Sequence, residues 1–439
     1  MVIRRLSLPL FSGARIKGLL VVCSLLTGLA APAFSPVAAG AACAPVPSAA
    51  TSSMRVVSYE SSAQLAGAWL RLQQLSDGSF EVADFPGFET PDAILALAED
   101  SQTTSTWSTA EARAGVESAA ICGVTALDWI DDFAEAGLEA GDAGRIVIFV
   151  AAPLGLSSTA FDPGNDGNPI NLEDIMASAK DGGSYGTFGG TLSVAIAQRL
   201  LGDPVARDTD TFIRAGQHGD GSWDYTGDLS TETPSEINTT ALAIIALVAA
   251  GAERNDAALR LGIAYRASQQ QSDGGFREAF NGDEATNPNA TALAILAITA
   301  AGFDPDDDLW RAASQTSGAA VVSAAYILPR DALRATQTGD GNYASPYDIY
   351  GLNTFATTGG IHGILANWIV DSFALPLETV TTTTTTIPFV NLPVGATPEV
   401  AGGKLANTGS DVSALGLLGF ILLLSGAALI RLNKRRVNA

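Results

Sequence analysis

Two kinds of apolar pattern alternate along the middle of the chain. Asn238 to Ala250 and Asn289 to Ala301 are Ala/Leu/Ile runs that are apolar on nearly every helical face, and each predicts a helix buried all round. The stretches before the Asp-Gly turns, such as 255–270, carry apolar residues on one side only and predict helices with a solvated face. Between the two kinds lies a recurring turn. Gln73-Gln74-Leu75-Ser76-Asp77-Gly78-Ser79-Phe80 is echoed by Gln217-His218-Gly219-Asp220-Gly221-Ser222-Trp223, by Gln270-Gln271-Ser272-Asp273-Gly274-Gly275-Phe276 and by Gln337-Thr338-Gly339-Asp340-Gly341-Asn342-Tyr343. Lys180-Asp181-Gly182-Gly183-Ser184-Tyr185 is a degenerate copy. One unit therefore reads as an amphipathic outer helix, an Asp-Gly turn with an aromatic, and a buried inner helix capped by Asn or Thr. Asp220 and Asp273 lie 53 residues apart, so the segment 45–375 has room for about six such hairpins. Repeats with one buried and one exposed helix layer can close into a ring, which makes the expected fold all-α.

The two ends follow other patterns. Residues 1–42 begin with basic Arg4 and Arg5, pass through the apolar run Gly18 to Ala31, and end in small residues, the order expected of a signal peptide. Residues 376–404 are rich in Thr and Pro, with an unbroken Thr381 to Thr386, and predict an extended stalk. Within the final segment, 405–439, Leu405-Ala406-Asn407-Thr408-Gly409 precedes an apolar run over 414–430, long enough to cross a bilayer, and a basic tail of Arg431, Lys434, Arg435 and Arg436.

Charge narrows the partners. Outside 1–41 and 410–439 the chain has 16 Lys and Arg against 45 Asp and Glu, a net charge of −29. Such a surface repels nucleic acid and suits solvation outside the cell. With Cys23 in the leader, Cys43 and Cys122 remain; an oxidising exterior permits a disulfide between them, and two separate thiols are the other reading.

Motif, span and basic tail in that order resemble a sortase cell-wall sorting signal, with Ala at the second position as in high-GC Gram-positive bacteria. The resemblance implies attack of a sortase cysteine on the Thr408 carbonyl, release of Gly409 onward, and transfer of Thr408 to a peptidoglycan amine. A plain tail anchor is the alternative. Either places the 45–375 domain at the cell surface, with the membrane as a partner of the precursor through its C-terminal segment.

The Gln…Asp-Gly-Gly/Ser-aromatic repeats resemble those of the prenyltransferase and squalene cyclase superfamily, strongly over 205–345 and weakly over 100–200. The resemblance implies an α/α toroid of six inner and six outer helices, in which Gln217, Trp223, Gln270 and Phe276 are scaffold. It also implies that any chemistry sits at the N-terminal ends of the inner helices. The cyclase acid motif, Asp-x-Asp-Asp-Thr-Ala, aligns with Asn287-Pro288-Asn289-Ala290-Thr291-Ala292 and, one repeat earlier, with Glu236-Ile237-Asn238-Thr239-Thr240-Ala241. An amide has no ionisable proton to give. Asp304-Pro305-Asp306-Asp307 spells the acidic pattern but follows a helix C-terminus and reads as a turn. The zinc site of protein prenyltransferases needs Asp, Cys and His, and His218, His362, Cys43 and Cys122 have no ligand spacing. No metal site is therefore assigned.

One loop invites a cation. Asp162, Asp166, Gly167 and Glu173 stand at positions 1, 5, 6 and 12 of a calcium loop, but Gly164 replaces an expected ligand and Pro169 is unusual. The expected reading is an Asn-rich loop whose Asn171 caps the next helix, with calcium as the alternative. Two function classes remain. The first is a non-catalytic module that holds a ligand or partner at the ring mouth through Glu236, Asn238, Asn287 and Asn289, beside Tyr225 and Phe280; cobalamin carriers of animals share the toroid by distant analogy. The second is an enzyme, a diverged cyclase or a hydrolase of wall polymer or glycan, with Glu236, Asp92 and Asp348 as acidic candidates. The first class is the expectation.

Overall fold

The computed structural model describes residues 58–81, 86–229, 235–277, 285–311, 328–345 and 353–377. The leader, residues 378–404 of the Thr/Pro segment, the sorting motif, Cys43, Phe280 and Asp348 lie outside them. Among the described residues the helices are α1 (Tyr59–Arg71), α2 (Glu89–Asp100), α3 (Thr109–Glu117), α4 (Ala126–Glu135), α5 (Ala140–Ile146), α6 (Ala152–Leu154) and α7 (Leu172–Ser178). They continue with α8 (Phe188–Leu200), α9 (Arg207–Ala215), α10 (Ile237–Ala249), α11 (Ala257–Gln269), α12 (Pro288–Ala300), α13 (Pro329–Ala335), α14 (Thr354–Leu365) and α15 (Asn367–Ser372). Only isolated β-bridges occur among these residues, at the turns. No helix among them is long and apolar enough to cross a membrane.

The helices form an α/α toroid. α2, α5 with the π turn that follows it, α8, α10, α12 and α14 each pack against the next, and α14 packs back against α2. Outside this ring, α1 covers α14 and α2, α3 and α4 cover α2, α7 covers α5, α9 covers α8, α11 covers α10, and α13 covers α12 and α14. The runs expected to be buried all round are the inner helices α10 and α12, and 255–270 is the outer helix α11. Ala243, Ala246, Ala294 and Ala297 are fully buried, small side chains that let inner helices approach closely.

The turns explain why the units repeat. Phe80, Tyr185, Trp223, Phe276 and Tyr343 each donate their backbone N–H to a Thr hydroxyl near the start of the next inner helix: Thr90, Thr191, Thr240, Thr291 and Thr357, at 2.9–3.1 Å. Gln217 Nε2 reaches the Gly221 carbonyl of its own turn at 3.0 Å and the Ala258 carbonyl of α11 at 2.9 Å, tying one unit to the next. Gln337 does the same with Gly341 and, across the ring closure, with the Ser62 carbonyl of α1 at 2.9 Å. Glycine is required at these turns. Gly221 has φ +94°, and a Cβ there would lie 2.2 Å from the Leu261 carbonyl oxygen. Trp223 is fully buried, with its indole N–H on the Ile213 carbonyl at 2.7 Å. Gln217 and Trp223 are thus scaffold contacts.

Of the two best-repeated inner helices, one is capped by Asn as expected and the other by Glu. Glu236, not Asn238, caps α10, and Asn287, not Asn289, caps α12. Each capping side chain accepts two backbone N–H groups of the first turn, and the Asn two residues later already lies within the helix.

Candidate functional site: the ring lumen and its mouth

Equivalent turns precede α2, α8, α10, α12 and α14, and α5 runs alongside α8 in the same sense, with Gly141 against Gly190 and Gly144 against Ser193, so the N-termini open on one end of the ring. Each inner helix has inner neighbours on both flanks and outer helices behind it, which leaves one side facing the ring axis. The half-exposed positions of these helices recur at helical spacing, as that geometry requires. At the mouth they are Gly141, Gly189, Thr239, Asn289 and Phe355. One turn deeper come Arg145, Ser193, Leu242, Leu293 and Gly359, and deeper still Ile148, Phe149 and Leu296. The axis-facing positions therefore run from mostly small or polar at the entrance, through a mixed layer, to apolar at the deepest turn.

α2 contributes no half-exposed residue before Asp100, because other side chains cover its first turns. Arg145 Nη2 donates to Asp92 Oδ2 at 2.5 Å and to the Phe88 carbonyl at 2.9 Å. Its guanidinium lies 5.3 Å from the Phe88 ring centre and 5.2 Å from that of Phe149. Phe88 in turn meets Phe355 at 4.7 Å. Behind this group, His362 Nδ1 sits 2.6 Å from Glu99 Oε2, both residues buried. Burial opposes the imidazolium, but the Glu99 carboxylate, with Asp92 adding to it, outweighs that cost and holds the His362 pKa above the usual value. The Phe149 ring lies 6.0 Å from the imidazole.

Phe149 belongs to the π turn Val147–Ala151, which has a local cause. Pro153 has no N–H to give the Phe149 carbonyl four residues back, and the Ala152 N–H reaches Val147, five residues back. The widened turn places two successive residues, Ile148 and Phe149, on the axis side.

Of the residues singled out at the mouth, Asn289 is the one whose position fits the lumen wall. It is half-exposed, its Oδ1 accepts no hydrogen bond, and it lies against Gly359 of α14. Glu236, Asn238 and Asn287 are buried, with Thr239 taking the axis-facing place beside them. Tyr225 is half-buried in the loop after its turn. Both Glu236 oxygens are occupied by the Asn238 and Thr239 amides; burial raises its pKa against those bonds and the Arg266 charge. Arg266 of α11 is fully buried, donates to the Ile237 and Ala290 carbonyls at 2.7 and 3.1 Å, and stacks 4.7 Å over Phe276. Burial brings its pKa down to about 10. Glu236 and Asp92, two of the acidic candidates, are thus committed to a cap and to an ion pair. Asp306 pairs with Arg330 at 2.6 Å in the turn after α12, and Asp304 accepts from the Asp306 amide at 2.9 Å, as a turn requires.

A second acidic group lies outside the ring. Asp162 and Asp166 come together with Asp131 of α4. Glu173 turns away and accepts from Ser158 Oγ at 2.5 Å, while Asn171 caps α7. Burial foremost, with the Asp162, Asp166 and Glu135 charges and against the Gly164 amide, pushes the Asp131 carboxyl up to about 6. Cys122 is disulfide-bonded and is the only cysteine among the described residues, so its partner lies outside them.

No protein-family model matches the chain, and no curated protein matches it. Among solved structures, the type II terpene cyclase MstE from Scytonema, in its apo form, covers 71% of this chain and 98% of its own, at 15% identity and a TM-score of 0.46. A variant of MstE in complex with geranylgeranyl dihydroxybenzoate covers 71% and 97%, at 14% identity and a TM-score of 0.46. Likeness at this level concerns the fold and leaves function to the residues of this chain.

Proposed function

We propose that the chain is a surface module, exported and joined to the cell wall through Leu405-Ala406-Asn407-Thr408-Gly409, whose ring lumen binds an elongated apolar molecule with a polar or anionic end. The observation that carries the ligand reading is the layering of the axis-facing positions. Leu242, Leu293, Leu296, Ile148 and Phe149 offer an apolar sleeve. Thr239 and Asn289 lie at the entrance, where the inner-helix N-termini favour negative charge, and Arg145 lies one turn deeper. Arg145 is paired with Asp92, but its two bonds both come from Nη2, which leaves other N–H donors of the fork for a ligand.

The test uses the full chain and a fluorescent polyene fatty acid. Leu242→Glu with Leu293→Glu should abolish binding, since a carboxylate in the sleeve excludes the alkyl chain. Arg145→Met should weaken the acid about tenfold and leave the matching alcohol nearly unaffected. Equal loss for acid and alcohol would remove Arg145 from the head-group site, and undiminished binding by the double variant would remove the lumen. Anchoring is tested separately: Thr408→Ala should shift the protein from the wall fraction to membrane or medium, and covalent wall attachment of that variant would refute it.

A second reading, cyclisation of a polyprenyl substrate, is favoured by one observation: the Phe88, Phe149 and Phe355 rings gather beside buried Asp92, Glu99 and His362. Aromatic faces stabilise cations. The acid is the difficulty, because Asp92 lies in an ion pair with Arg145. Cyclic product from a linear polyprenyl substrate, lost in Asp92→Asn, would establish this reading over simple binding.

A further inference from the structure

We propose that Asp131, Asp162 and Asp166 form a calcium site that pins the loop between α6 and α7 to outer helix α4. The site is independent of the lumen. One carboxylate oxygen from each residue lies within 4.8 Å of the others. Among the described residues no Lys or Arg forms an ion pair with any of the three. Three carboxylates drawn together without a cation repel one another, and the loop is folded so that they meet.

The second observation is Asp131 itself. It is 4% exposed, and its Oδ1 is buried without a hydrogen-bond partner, while Oδ2 accepts the Gly164 amide at 3.0 Å. A buried carboxylate oxygen with nothing to accept is costly, and a cation would satisfy it. Gly164 is what lets Asp131 in: a Cβ at that position would lie 2.5 Å from Asp131 Oδ2. The residue that seemed to spoil the loop as a cation binder is therefore the gap through which α4 supplies the missing carboxylate. The loop is also preformed. Phe161 and Ile170 exchange backbone hydrogen bonds at 2.8 and 2.9 Å across its neck. Asp162 accepts the Asp166 and Gly167 amides at 3.0 and 3.2 Å, and Asp166 is held by Asn168.

The donor set selects the ion. Three carboxylates and no His or Cys favour a hard divalent cation over zinc or copper. Calcium tolerates an irregular shell completed by water, whereas magnesium demands near-octahedral order and gives up its waters reluctantly.

The experiment is thermal unfolding of the full chain after chelator treatment, with calcium chloride, magnesium chloride or neither. Calcium at about 5 mM should raise the midpoint by about 3–8 °C, as for an extracellular site of about 0.1–1 mM affinity. Asp131→Asn should unfold no lower than the chelator-treated parent without calcium, because a buried charge is gone, and should not respond to calcium. Asp162→Asn, more exposed, should also lose the response, and it stands in if Asp131→Asn does not fold. Glu173→Gln should keep it. No calcium response in the parent, a response surviving both Asp131→Asn and Asp162→Asn, or an equal response to magnesium would each overturn the assignment.

Discussion

The arc from α9 to α13 and the arc from α3 to α7 build the same ring by different means. In the first, each unit repeats one solution: Gln217 and Gln270 brace their own turns, Asp220 and Asp273 accept the amides two residues on, and Thr240 and Thr291 anchor the aromatics. Nearly every polar group of these turns is used within the scaffold. The second arc lacks that economy. Its inner helix is broken by a π turn, its outer layer is split between α3 and α4, and a loop carries clustered carboxylates. Regular units leave little chemistry over, and the places where the repeat decays are where Arg145, Phe149 and Asp131 become available for something else.

The largest expected effect tests whether the buried turns of the regular arc are scaffold alone. Trp223→Ala should cost about 3–5 kcal/mol in urea unfolding, from loss of a fully buried ring and its indole hydrogen bond. Phe149→Ala, at a half-exposed wall position, should cost less than half of that while reducing fatty-acid binding. Should Phe149→Ala prove the more destabilising of the two, the division between the arcs would be misplaced.

A smaller effect sharpens the comparison at the seam between α2 and α14. Because the folded His362 pKa is raised by Glu99, the stability this pair adds is fully present below the unfolded imidazole value of about 6.5. It is lost as pH rises through the raised folded value. The urea midpoint should therefore decline from about pH 6.5 into the alkaline range, and His362→Asn should flatten that slope. A parent midpoint that stays level over this range would show that the pair adds nothing to stability.

Much of the ring was legible because its signals are local. Inner helices announce themselves by all-round apolar runs, and turns by Asp-Gly with an aromatic, so α10, α11 and α12 fall within one or two residues of expectation. The site was legible only in outline. Asn289 could be placed at the mouth, but choosing between Asn238 and Thr239 needed the helix phase, which depends on the cap at Glu236. Arg145, Asp92 and His362 come from α5, α2 and α14, and no short-range pattern links them. Asp131 lies 33 residues from Gly164, on another helix, so the loop motif alone pointed to Glu173 instead. The Pro153 that causes the π turn was visible, but a lone proline near a helix end more often marks termination than a bulge.

The joint between α1 and the last Asp-Gly turn has a consequence in time. Gln337 reaches Ser62 over a separation of 275 residues, Tyr343 meets the same serine, and Gly341 fits beneath the Leu65 carbonyl. A chain made from its N-terminus completes one half of that joint long before the other half exists. The entropy cost of closing so long a loop grows only with the logarithm of its length, but it falls due before the final contacts repay it. Until then α1 can meet α2 but lacks its other inner-helix partner, α14. The first of the described helices to emerge is thus among the last to complete its contacts.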